Sequence, residues 1–348
     1  MSDSSFIVQT VDRALFTLLT DERHRWQAVS THFATVFDEL ETMVLAGGKR
    51  LRPQFLHWGW VAAGGDPSET HHHQFGAAIE LLHACALFHD DVIDDSALRR
   101  GHLTTHRRLA DIHVEDKLMG EPRRFGEGSA VLMGDVAFSL AERLMTDISS
   151  DARRYWNELC LEMNMGQYLD TVGSAYREHS TQHALAVAKF KTAKYTVERP
   201  LHIGAMAADS DSGVSLLEPL SSYGLPLGVA FQLRDDVLGA FGDESLTGKP
   251  VGGDFHEGKT TALVAHAFGV ATSTQLEVLN KIGSSQLTDD DVSSIQDVLV
   301  DTGSVAHVES LIAQHYDEAV AAINMSNIRI EARMALIDLA VSVTQRSV

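Results

Sequence analysis

Apolar residues recur at three- and four-residue intervals along most of this chain, and alternating β-branched stretches are rare. Between Val305 and Ile323, for example, the apolar residues line one face of a helix. We therefore predict an all-α protein of ten or more helices. The predicted helices cover 5–46, 54–64, 70–96, 129–147, 151–172, 181–198, 214–240, 259–281, 289–300, 305–323 and 327–345.

Breaks in this pattern indicate how the helices are connected. Residues 111–128 are polar and aperiodic, and they are predicted to form an exposed loop. Pro226 predicts a kink or a break within the helix over 214–240. No Gly/Ser-rich linker or block of charge separates two halves, so we predict one all-helical domain over residues 1–348.

The composition excludes several classes of protein. Of 348 residues, 44% are hydrophobic and only 7 are prolines, which argues against a disordered chain. The net charge of −20 repels phosphate backbones, so no nucleic-acid partner is expected. We predict a soluble, cytoplasmic protein without a transmembrane segment. The chain has only two cysteines, its N-terminus has no basic region, and it lacks a run of about 18 consecutive apolar residues.

Four acids end one strongly apolar helix, at Asp90, Asp91, Asp94 and Asp95. Asp90 and Asp94 share a helical face, where like charges repel, and the carboxyl end of a helix disfavours negative charge. A solvated helix end would explain this cluster if it stood alone. Hard divalent cations held by carboxylate oxygens would explain it as well.

A second pair of acids, Asp235 and Asp236, also follows an apolar helical run, with Gln232 one turn earlier. If the two helices face each other, their acids could hold a cluster of Mg2+ ions. Mg2+ keeps few protein ligands and shares its shell with substrate phosphates, so we predict a polyphosphate ligand.

Basic residues are scarce in this chain, and several lie beside these acids or beside glycines. The segment GGKRLRP at 47–53 places three cations behind two glycines, just before a helix, which suits an anion. Further cations occur at Arg99, Arg100, Lys191, Lys249 and Lys259. Ordinary surface ion pairs would explain any one of them but not the whole set.

Two other clusters are predicted to be structural. Asp289–Asp291 follow Thr288 at a helix N-terminus, where a capping box and the helix dipole stabilise acids. His71–His73 could be taken for a metal-binding tract. Consecutive helical residues point about 100° apart, however, so a solvated helix start capped by Ser68 is the favoured interpretation.

Taken together, six motifs in order resemble those of the trans-isoprenyl diphosphate synthases, the polyprenyl synthetase family, over about residues 40–345. They are GGKRLRP (47–53), DDVID (90–94) with RRG (99–101), GQYLD (166–170), KTA (191–193), FQLRDD (231–236) and TGKPVGGDFHEGKTT (247–261). The resemblance implies an isoprenoid synthase-type bundle of mostly antiparallel helices around a deep central cavity, usually a homodimer. It also implies a prenyltransferase of isoprenoid biosynthesis. Such an enzyme condenses isopentenyl diphosphate head to tail (1′-4) with allylic diphosphates, through Mg2+-assisted ionisation to an allylic cation.

The resemblance further implies a role for individual residues. The Mg2+ ligands would be Asp90 and Asp94, with Asp91 in support, and Asp235 on the opposite helix. The allylic diphosphate would bind Arg99, Lys191, Thr192, Gln232, Lys249 and Lys259, of which Lys191, Thr192 and Gln232 would act in catalysis. Isopentenyl diphosphate would bind Lys49, Arg52, His83 and Arg100. Without the resemblance, His83 would be interpreted as a core histidine.

Three positions bear on product length and on metal affinity. Cys85 and Ala86, five and four residues before the first aspartate, are small where the family's chain-length determinants lie. They favour geranylgeranyl diphosphate (C20) as product over longer chains or the C15 farnesyl chain. Gly239 stands where the third aspartate of the second motif is usual, and we expect this to tune metal affinity.

Two rival functions share part of this pattern. A terpene cyclase has the fold and an aspartate-rich motif but binds no second diphosphate, so it leaves the GGKRLRP segment unexplained. A non-catalytic regulatory subunit typically loses an aspartate motif, whereas this chain keeps both.

Overall fold

The computed structural model describes residues 3–242 and 251–345, and these residues form helices almost throughout. The helices are α1 (Asp3–Gln27), α2 (Phe33–Leu45), α3 (Leu51–Ala62), α4 (His73–Ile93), α5 (Thr105–Glu115), α6 (Pro122–Leu144), α7 (Ser150–Tyr176), α8 (Thr181–Val187), the π-helix π1 (Ala188–Glu198), α9 (Arg199–Ala208), α10 (Ser210–Phe241), α11 (Gly253–His256), α12 (Ala262–Val270), α13 (Ser273–Leu279), α14 (Asp289–Asp301), α15 (Ser304–Met325) and α16 (Ile330–Thr344). Strands β1 (Leu98–Arg99) and β2 (His102–Leu103) pair in an antiparallel ribbon. The prediction of an all-α protein is confirmed.

Helix α10 lies between the two hydrophobic clusters of the fold. Its residues Leu220 and Leu227 pack in a cluster with α1–α4, α6, α7, α9 and α16, whereas Leu233 and Val237 pack in a cluster with α12, α14 and α15. Burying each leucine stabilises the fold by about 1.5–3 kcal/mol. The 32 residues of α10 span about 48 Å and continue without a break through Pro226, where a kink or break was predicted. This packing places the acids at the end of α10 inside the molecule.

The prediction of an exposed loop over residues 111–128 is wrong. Helix α5 continues to Glu115 and α6 begins at Pro122. The two helices approach closely because Gly126 carries no side chain: a Cβ there would lie 2.1 Å from the carbonyl oxygen of His106. Because the two helices meet at a glycine and not through apolar side chains, this contact leaves no apolar periodicity in the sequence from which the helices could be predicted. Likewise, the predicted helix over 5–46 is interrupted between α1 and α2.

The prediction of a solvated, Ser68-capped helix start at His71–His73 is also wrong. His72 is 0% exposed and His73 is 2% exposed, and only His71 faces solvent. The Ser68 hydroxyl donates to Asp66 instead of capping α4. In contrast, the capping box of Thr288 and Asp291 at the start of α14 is confirmed.

A buried histidine makes the stability of this fold depend on pH. Arg199 Nη1 donates to Nδ1 of His202 over 3.1 Å, and Nε2 lies 3.1 Å from the carbonyl oxygen of Leu217, so the imidazole is neutral. Burial, reinforced by Arg199, lowers the pKa of His202 to about 4. The unfolded chain therefore binds the extra proton first, and stability falls as pH drops from about 6.5 to about 4.

We expect His202→Gln to remove this contribution. As pH drops from about 6.5 to about 4, the free energy of unfolding should fall in both proteins. The fall should be smaller in the variant, by up to about 3 kcal/mol. Urea titrations at several pH values measure the difference. His71→Gln, at an exposed position, should keep the wild-type dependence, and an unchanged slope in His202→Gln would contradict the expectation.

Candidate active site

The first acid cluster lies at the carboxyl end of α4, which has Asp94 as its C-cap. The β1–β2 ribbon follows and turns through Arg100 and Gly101, whose φ values of 52° and 76° suit a tight turn. The ribbon returns Arg99 to the buried Asp91, with Nε 2.8 Å and Nη2 2.6 Å from Oδ1. Asp91 is therefore held by an arginine close in sequence.

Asp90 faces cations from more distant elements. Lys191 Nζ lies 3.2 Å from Oδ1 of Asp90, and Arg99 Nη2 lies 3.7 Å from Oδ2. Burial disfavours the carboxylate, but Lys191, Lys259 and Arg99 outweigh burial and lower the pKa of Asp90 to about 2. Asp90 is therefore ionised at neutral pH.

Lys191 and Thr192 lie on π1, a π-helix of 11 residues. π-Helical geometry is rare and often occurs at functional sites. Two glycines let the neighbouring helices approach it. A Cβ on Gly166 of α7 would lie 2.3 Å from the amide nitrogen of Lys191, and a Cβ on Gly228 of α10 would lie 2.3 Å from Cα of Ala193. The glycine of the GQYLD motif therefore sets the position of π1.

This approach places Lys191 between two carboxylates. Its Nζ lies 2.6 Å from Oδ2 of Asp170, the acid of the GQYLD motif, in addition to its contact with Asp90. Burial disfavours the ammonium, but the two acids outweigh it and raise the pKa of Lys191. Lys191 is a fixed cation beside the first acid cluster.

A chain of hydrogen bonds connects π1 to the second acid cluster on α10. The Thr192 hydroxyl donates to Oε1 of Gln232, and Nε2 of Gln232 donates to Oδ1 of Asp236 over 2.7 Å. Asp236 is 7% exposed, and burial raises its pKa to about 8, with Asp254 and Asp235 adding to the effect. Asp235, the predicted metal ligand, is half-buried beside it.

Lys259 connects the segment around α11 to the first acid cluster. Its Nζ lies 2.6 Å from Oδ2 of Asp94 and also contacts Glu257. Burial raises the pKa of Asp94 to about 6, with Asp90 and Glu257 adding to the rise and Lys259 opposing it. The other lysine predicted from this segment, Lys249, lies outside the described residues.

Asp254 was missed by the sequence reasoning, although it lies within the last motif. A Cβ built on Gly239 would lie 2.9 Å from Oδ2 of Asp254. The Asp254 carboxylate therefore occupies the space into which a side chain at position 239 would project. An acid from the following segment lies where the third aspartate of the second motif is missing.

Of the four residues predicted to bind isopentenyl diphosphate, the structure brings Arg52 and Arg100 close to His83, whereas Lys49 lines a groove with residues of α1 and α16. Lys49 lies two residues before α3, and Arg52 lies in the first turn of that helix. The Arg52 guanidinium is 4.5 Å from the ring centroid of Tyr195, and Arg100 Nη1 is 3.4 Å from the Gly47 carbonyl oxygen. Buried Nε of Arg52 and Nδ1 of His83 have no hydrogen-bond partner within the described part of the chain. Burial and the nearby arginines lower the pKa of His83 well below its usual value, so its ring is neutral.

The middle cation of the GGKRLRP motif has a structural role. Arg50 is buried, with Nε 2.8 Å from Oδ1 of Asp12 and Nη1 2.7 Å from Oε2 of Glu80, and it donates to the Val44 carbonyl oxygen. Its φ of 47° is left-handed, which turns its side chain inward at the start of α3. Arg50 therefore ties α3 to α1 and α4.

The acids of this region outnumber its cations among the described residues. Eight carboxyl groups lie close to three cations: Asp90, Asp91, Asp94, Asp170, Asp235, Asp236, Asp254 and Glu257 beside Arg99, Lys191 and Lys259. A surplus of hard carboxylate oxygens from two helices suits Mg2+ ions that share their shell with a phosphate ligand. The donor set therefore fits the predicted metal.

The two predicted chain-length residues lie on α4, one turn before the acids. Cys85 is 7% exposed, and its Sγ lies 3.8 Å from Nδ1 of His89. Ala86 is half-buried and has only a methyl group at this position. No bulky aromatic side chain therefore extends from α4 at either position.

Comparison with known proteins identifies the family. The polyprenyl synthetase family model matches residues 34–299, well over half of the chain. The chain belongs to the polyprenyl synthetase family. This confirms the resemblance inferred from the motifs, together with the enzyme class, a trans-prenyltransferase.

Individual relatives agree with this family. A geranylfarnesyl diphosphate synthase of Aeropyrum pernix is 30% identical over 77% of this chain and 80% of its own length. The solved structure of a geranylgeranyl pyrophosphate synthase from Corynebacterium glutamicum, complexed with isoprenyl diphosphate and magnesium, is 34% identical. It superimposes with a TM-score of 0.93 over 98% of this chain and 99% of that chain. In the part of this chain that the structure describes, no helix is long and apolar enough to span a membrane.

Proposed function

We propose that this enzyme condenses isopentenyl diphosphate with an allylic diphosphate and that geranylgeranyl diphosphate (C20) is its main product. One observation carries the proposal: acids from α4 and α10 share one region with Lys191 and Lys259, whereas Arg52, Arg100 and His83 lie together beside α3 and, with Lys49, are proposed to form a basic pocket. Two diphosphate sites of different chemistry suit a condensation of two diphosphate substrates.

The first site would bind the allylic diphosphate together with Mg2+. Asp90, Asp94 and Asp235 would hold the metal ions, and Asp91 would support them by fixing Arg99. Bound Mg2+ supplies neutralisation of the leaving diphosphate.

The cations of this site are paired with acids that the metal would bind. Lys191 contacts Asp90, Lys259 contacts Asp94, and Arg99 contacts Asp90 and Asp91. When Asp90 and Asp94 bind Mg2+, Lys191 and Lys259 become available for the oxygens of the diphosphate, and Arg99, held by Asp91, would face the same oxygens. Lys249 is proposed to join them.

The residues Thr192 and Gln232 would stabilise the allylic cation. Because the Thr192 hydroxyl donates its hydrogen bond to Oε1 of Gln232, the lone pairs of the hydroxyl oxygen remain available for positive charge at C1. Asp236 keeps Gln232 in this orientation by accepting from its Nε2. The C1–O bond breaks with its electron pair on the diphosphate, the C3–C4 double bond of isopentenyl diphosphate attacks C1, and the departing diphosphate takes the C2 proton.

The basic pocket would bind isopentenyl diphosphate without metal. Neutral His83 would donate a ring N–H to the diphosphate, and Arg52 makes no ion pair within the described residues, so its charge is available to the ligand. With Lys49 and Arg100 they give the pocket three positive charges for one diphosphate.

Calorimetric titrations test this two-site arrangement. Isopentenyl diphosphate should bind in EDTA, whereas an unreactive thiolodiphosphate analogue of geranyl diphosphate should bind only with Mg2+. Arg52→Met should weaken isopentenyl diphosphate binding at least about tenfold and leave analogue binding unchanged. The matched variant Arg154→Met, at an exposed position on α7, should bind both as the wild type does. A chain that binds the analogue but not isopentenyl diphosphate would be a terpene cyclase and would overturn the proposal.

Asp254 is proposed to replace the missing third acid of the second motif. Asp254→Asn should raise the Mg2+ concentration for half-maximal activity roughly tenfold, because a carboxylate beside the metal ligands is lost. Magnesium titrations of the condensation rate measure the change. Asp211→Asn, in the first turn of α10, is the matched control, and equal half-saturation for both variants would contradict the role.

The small side chain of Ala86 is proposed to let the product grow past C15. Ala86→Phe should shift the product to shorter chains, since a phenyl ring would block growth along α4. Chromatography of the dephosphorylated products measures chain length. Leu87→Phe, whose side chain points about 100° away, should not shorten the product. An unchanged product in Ala86→Phe would place the floor of the cavity elsewhere.

Assembly as a homodimer is also part of the proposal. Leu161, Met165 and Tyr168 are 55%, 50% and 65% exposed at helical spacing on α7, which supports a partner against this face. Sedimentation velocity should give twice the mass of one chain, and a monomer at micromolar concentration would contradict assembly.

A further inference from the structure

Three histidines form a buried cluster at the other end of α4 from the acids. His57 lies on α3, His72 is the N-cap of α4 and His73 is its first residue. They are 2%, 0% and 2% exposed. Nδ1 of His57 lies 2.9 Å from Nε2 of His72 and 3.2 Å from Nε2 of His73, so three ring nitrogens converge on one point.

Hydrogen bonds within the cluster leave it incompletely satisfied. Nδ1 of His72 and Nδ1 of His73 are buried without a partner in the described chain. A ring nitrogen carries at most one proton. His57 Nδ1 can therefore donate to only one of its two neighbouring nitrogens, or to neither when it is the unprotonated nitrogen of the ring. Buried polar atoms of native proteins are rarely unpaired, so this cluster needs an explanation.

The three rings are neutral and therefore able to act as ligands. Burial lowers the pKa of His57 to about 3, that of His72 to about 2 and that of His73 to about 4, with the neighbouring histidines adding to the effect. A neutral imidazole presents a lone pair, which is what a metal ion requires.

Aromatic neighbours hold the rings in place. Trp60 stacks on His72 with ring centroids 4.6 Å apart and an interplanar angle of 7°. Trp58 meets the edge of His57 at 4.9 Å, and Phe6 of α1 meets the edge of His73 at 5.9 Å. Rings fixed by packing from α1 and α3 lose little entropy on binding an ion.

We propose that His57, His72 and His73 bind one late first-row transition-metal ion, with Zn2+ as the best fit, and so tie α3 to the start of α4. The three candidate ligand atoms all lie within 4.8 Å of one another. Tetrahedral Zn2+ with Zn–N bonds of about 2.0–2.1 Å needs nitrogens roughly 3.4 Å apart. Nδ1 of His57 lies 2.9 Å and 3.2 Å from the Nε2 atoms of His72 and His73, so these atoms would separate by a few tenths of an ångström. Imidazole nitrogen suits Zn2+, Ni2+ and Cu2+, whereas Mg2+ and Ca2+ require oxygen.

This site is independent of the proposed catalytic chemistry. The 17 residues from His73 to Asp90 span about 26 Å of helix, so an ion at the histidines cannot contact the substrates. Its effect should therefore be on stability and on metal content.

Titration of the untagged full chain with Co2+, after removal of metals by chelation and dialysis, tests the proposal. We expect one equivalent of Co2+ with visible absorption typical of tetrahedral nitrogen ligation, displaced by one equivalent of Zn2+. Excess Zn2+ should raise Tm by roughly 3–5 °C. His73→Gln and His57→Gln should lose the bound equivalent and the rise in Tm.

The adjacent exposed histidine provides the matched control. His71→Gln should keep one equivalent, because its side chain is 57% exposed and lies outside the cluster. If the cluster variants fail to fold, nitrogen NMR of the wild type should show the resonances of three imidazoles shifting with one equivalent of Zn2+. The proposal is overturned if the wild type binds no equivalent of metal or if His71→Gln loses the bound equivalent. The cluster would then be a hydrogen-bonded histidine network without metal.

Discussion

Replacing Asp90 by alanine is expected to lower kcat by at least about a thousandfold while the helical fold is kept. Asp90 is the acid whose pKa is lowered to about 2 and whose oxygens face both Lys191 and Arg99. Its loss removes a proposed metal ligand and leaves the two cations without their shared partner. Steady-state condensation rates at saturating Mg2+, with circular dichroism as the test of folding, measure the effect.

An acid outside the site provides the control. Asp290 lies in the first turn of α14, where the helix dipole stabilises it and no metal is required. Asp290→Ala should keep wild-type turnover. Wild-type-like activity in Asp90→Ala would refute the metal site on α4.

The second large effect is expected from Lys191→Met. Lys191 is the cation between Asp90 and Asp170, and it is proposed to bind the allylic diphosphate. Its loss should lower kcat/KM for the allylic substrate by about 100- to 1,000-fold and leave KM for isopentenyl diphosphate nearly unchanged. Initial rates with each substrate varied in turn separate the two constants.

The same variant should also affect stability. Two half-buried acids would lose the cation between them, so Tm without Mg2+ should fall and should recover in part when Mg2+ is added. Lys189→Met, at an exposed position on the same helix, should change neither rate nor Tm. Equal losses for both substrates in Lys191→Met would argue against a specific allylic site.

Much of the fold and of the candidate site follows from local sequence signals. Helical periodicity predicts α14 and α15 because each buries one face against the core. The acids at the end of α4 are recognisable because the helix dipole disfavours negative charge there. The capping box at Thr288 is recognisable because its acids lie at a helix N-terminus, where the dipole favours them. Such signals depend on neighbours within one or two turns.

Features that depend on distant contacts could not be predicted in this way. The close approach of α7 and α10 to the segment around Lys191 depends on Gly166 and Gly228, which lie on those two helices. The inward turn of Arg50 depends on its ion pairs with α1 and α4, and the burial of His72 depends on Trp60. Within the site, Asp254 is relevant because its carboxylate lies beside Gly239 in space.

Product analysis tests the central claim most directly. Purified enzyme with Mg2+ and isopentenyl diphosphate would be given dimethylallyl, geranyl or farnesyl diphosphate, and the dephosphorylated products would be separated by chromatography. We predict linear alcohols, with C20 as the main product, formed only when isopentenyl diphosphate is consumed. A cyclic hydrocarbon made from the allylic substrate alone, or no turnover with any of the three, would contradict the account.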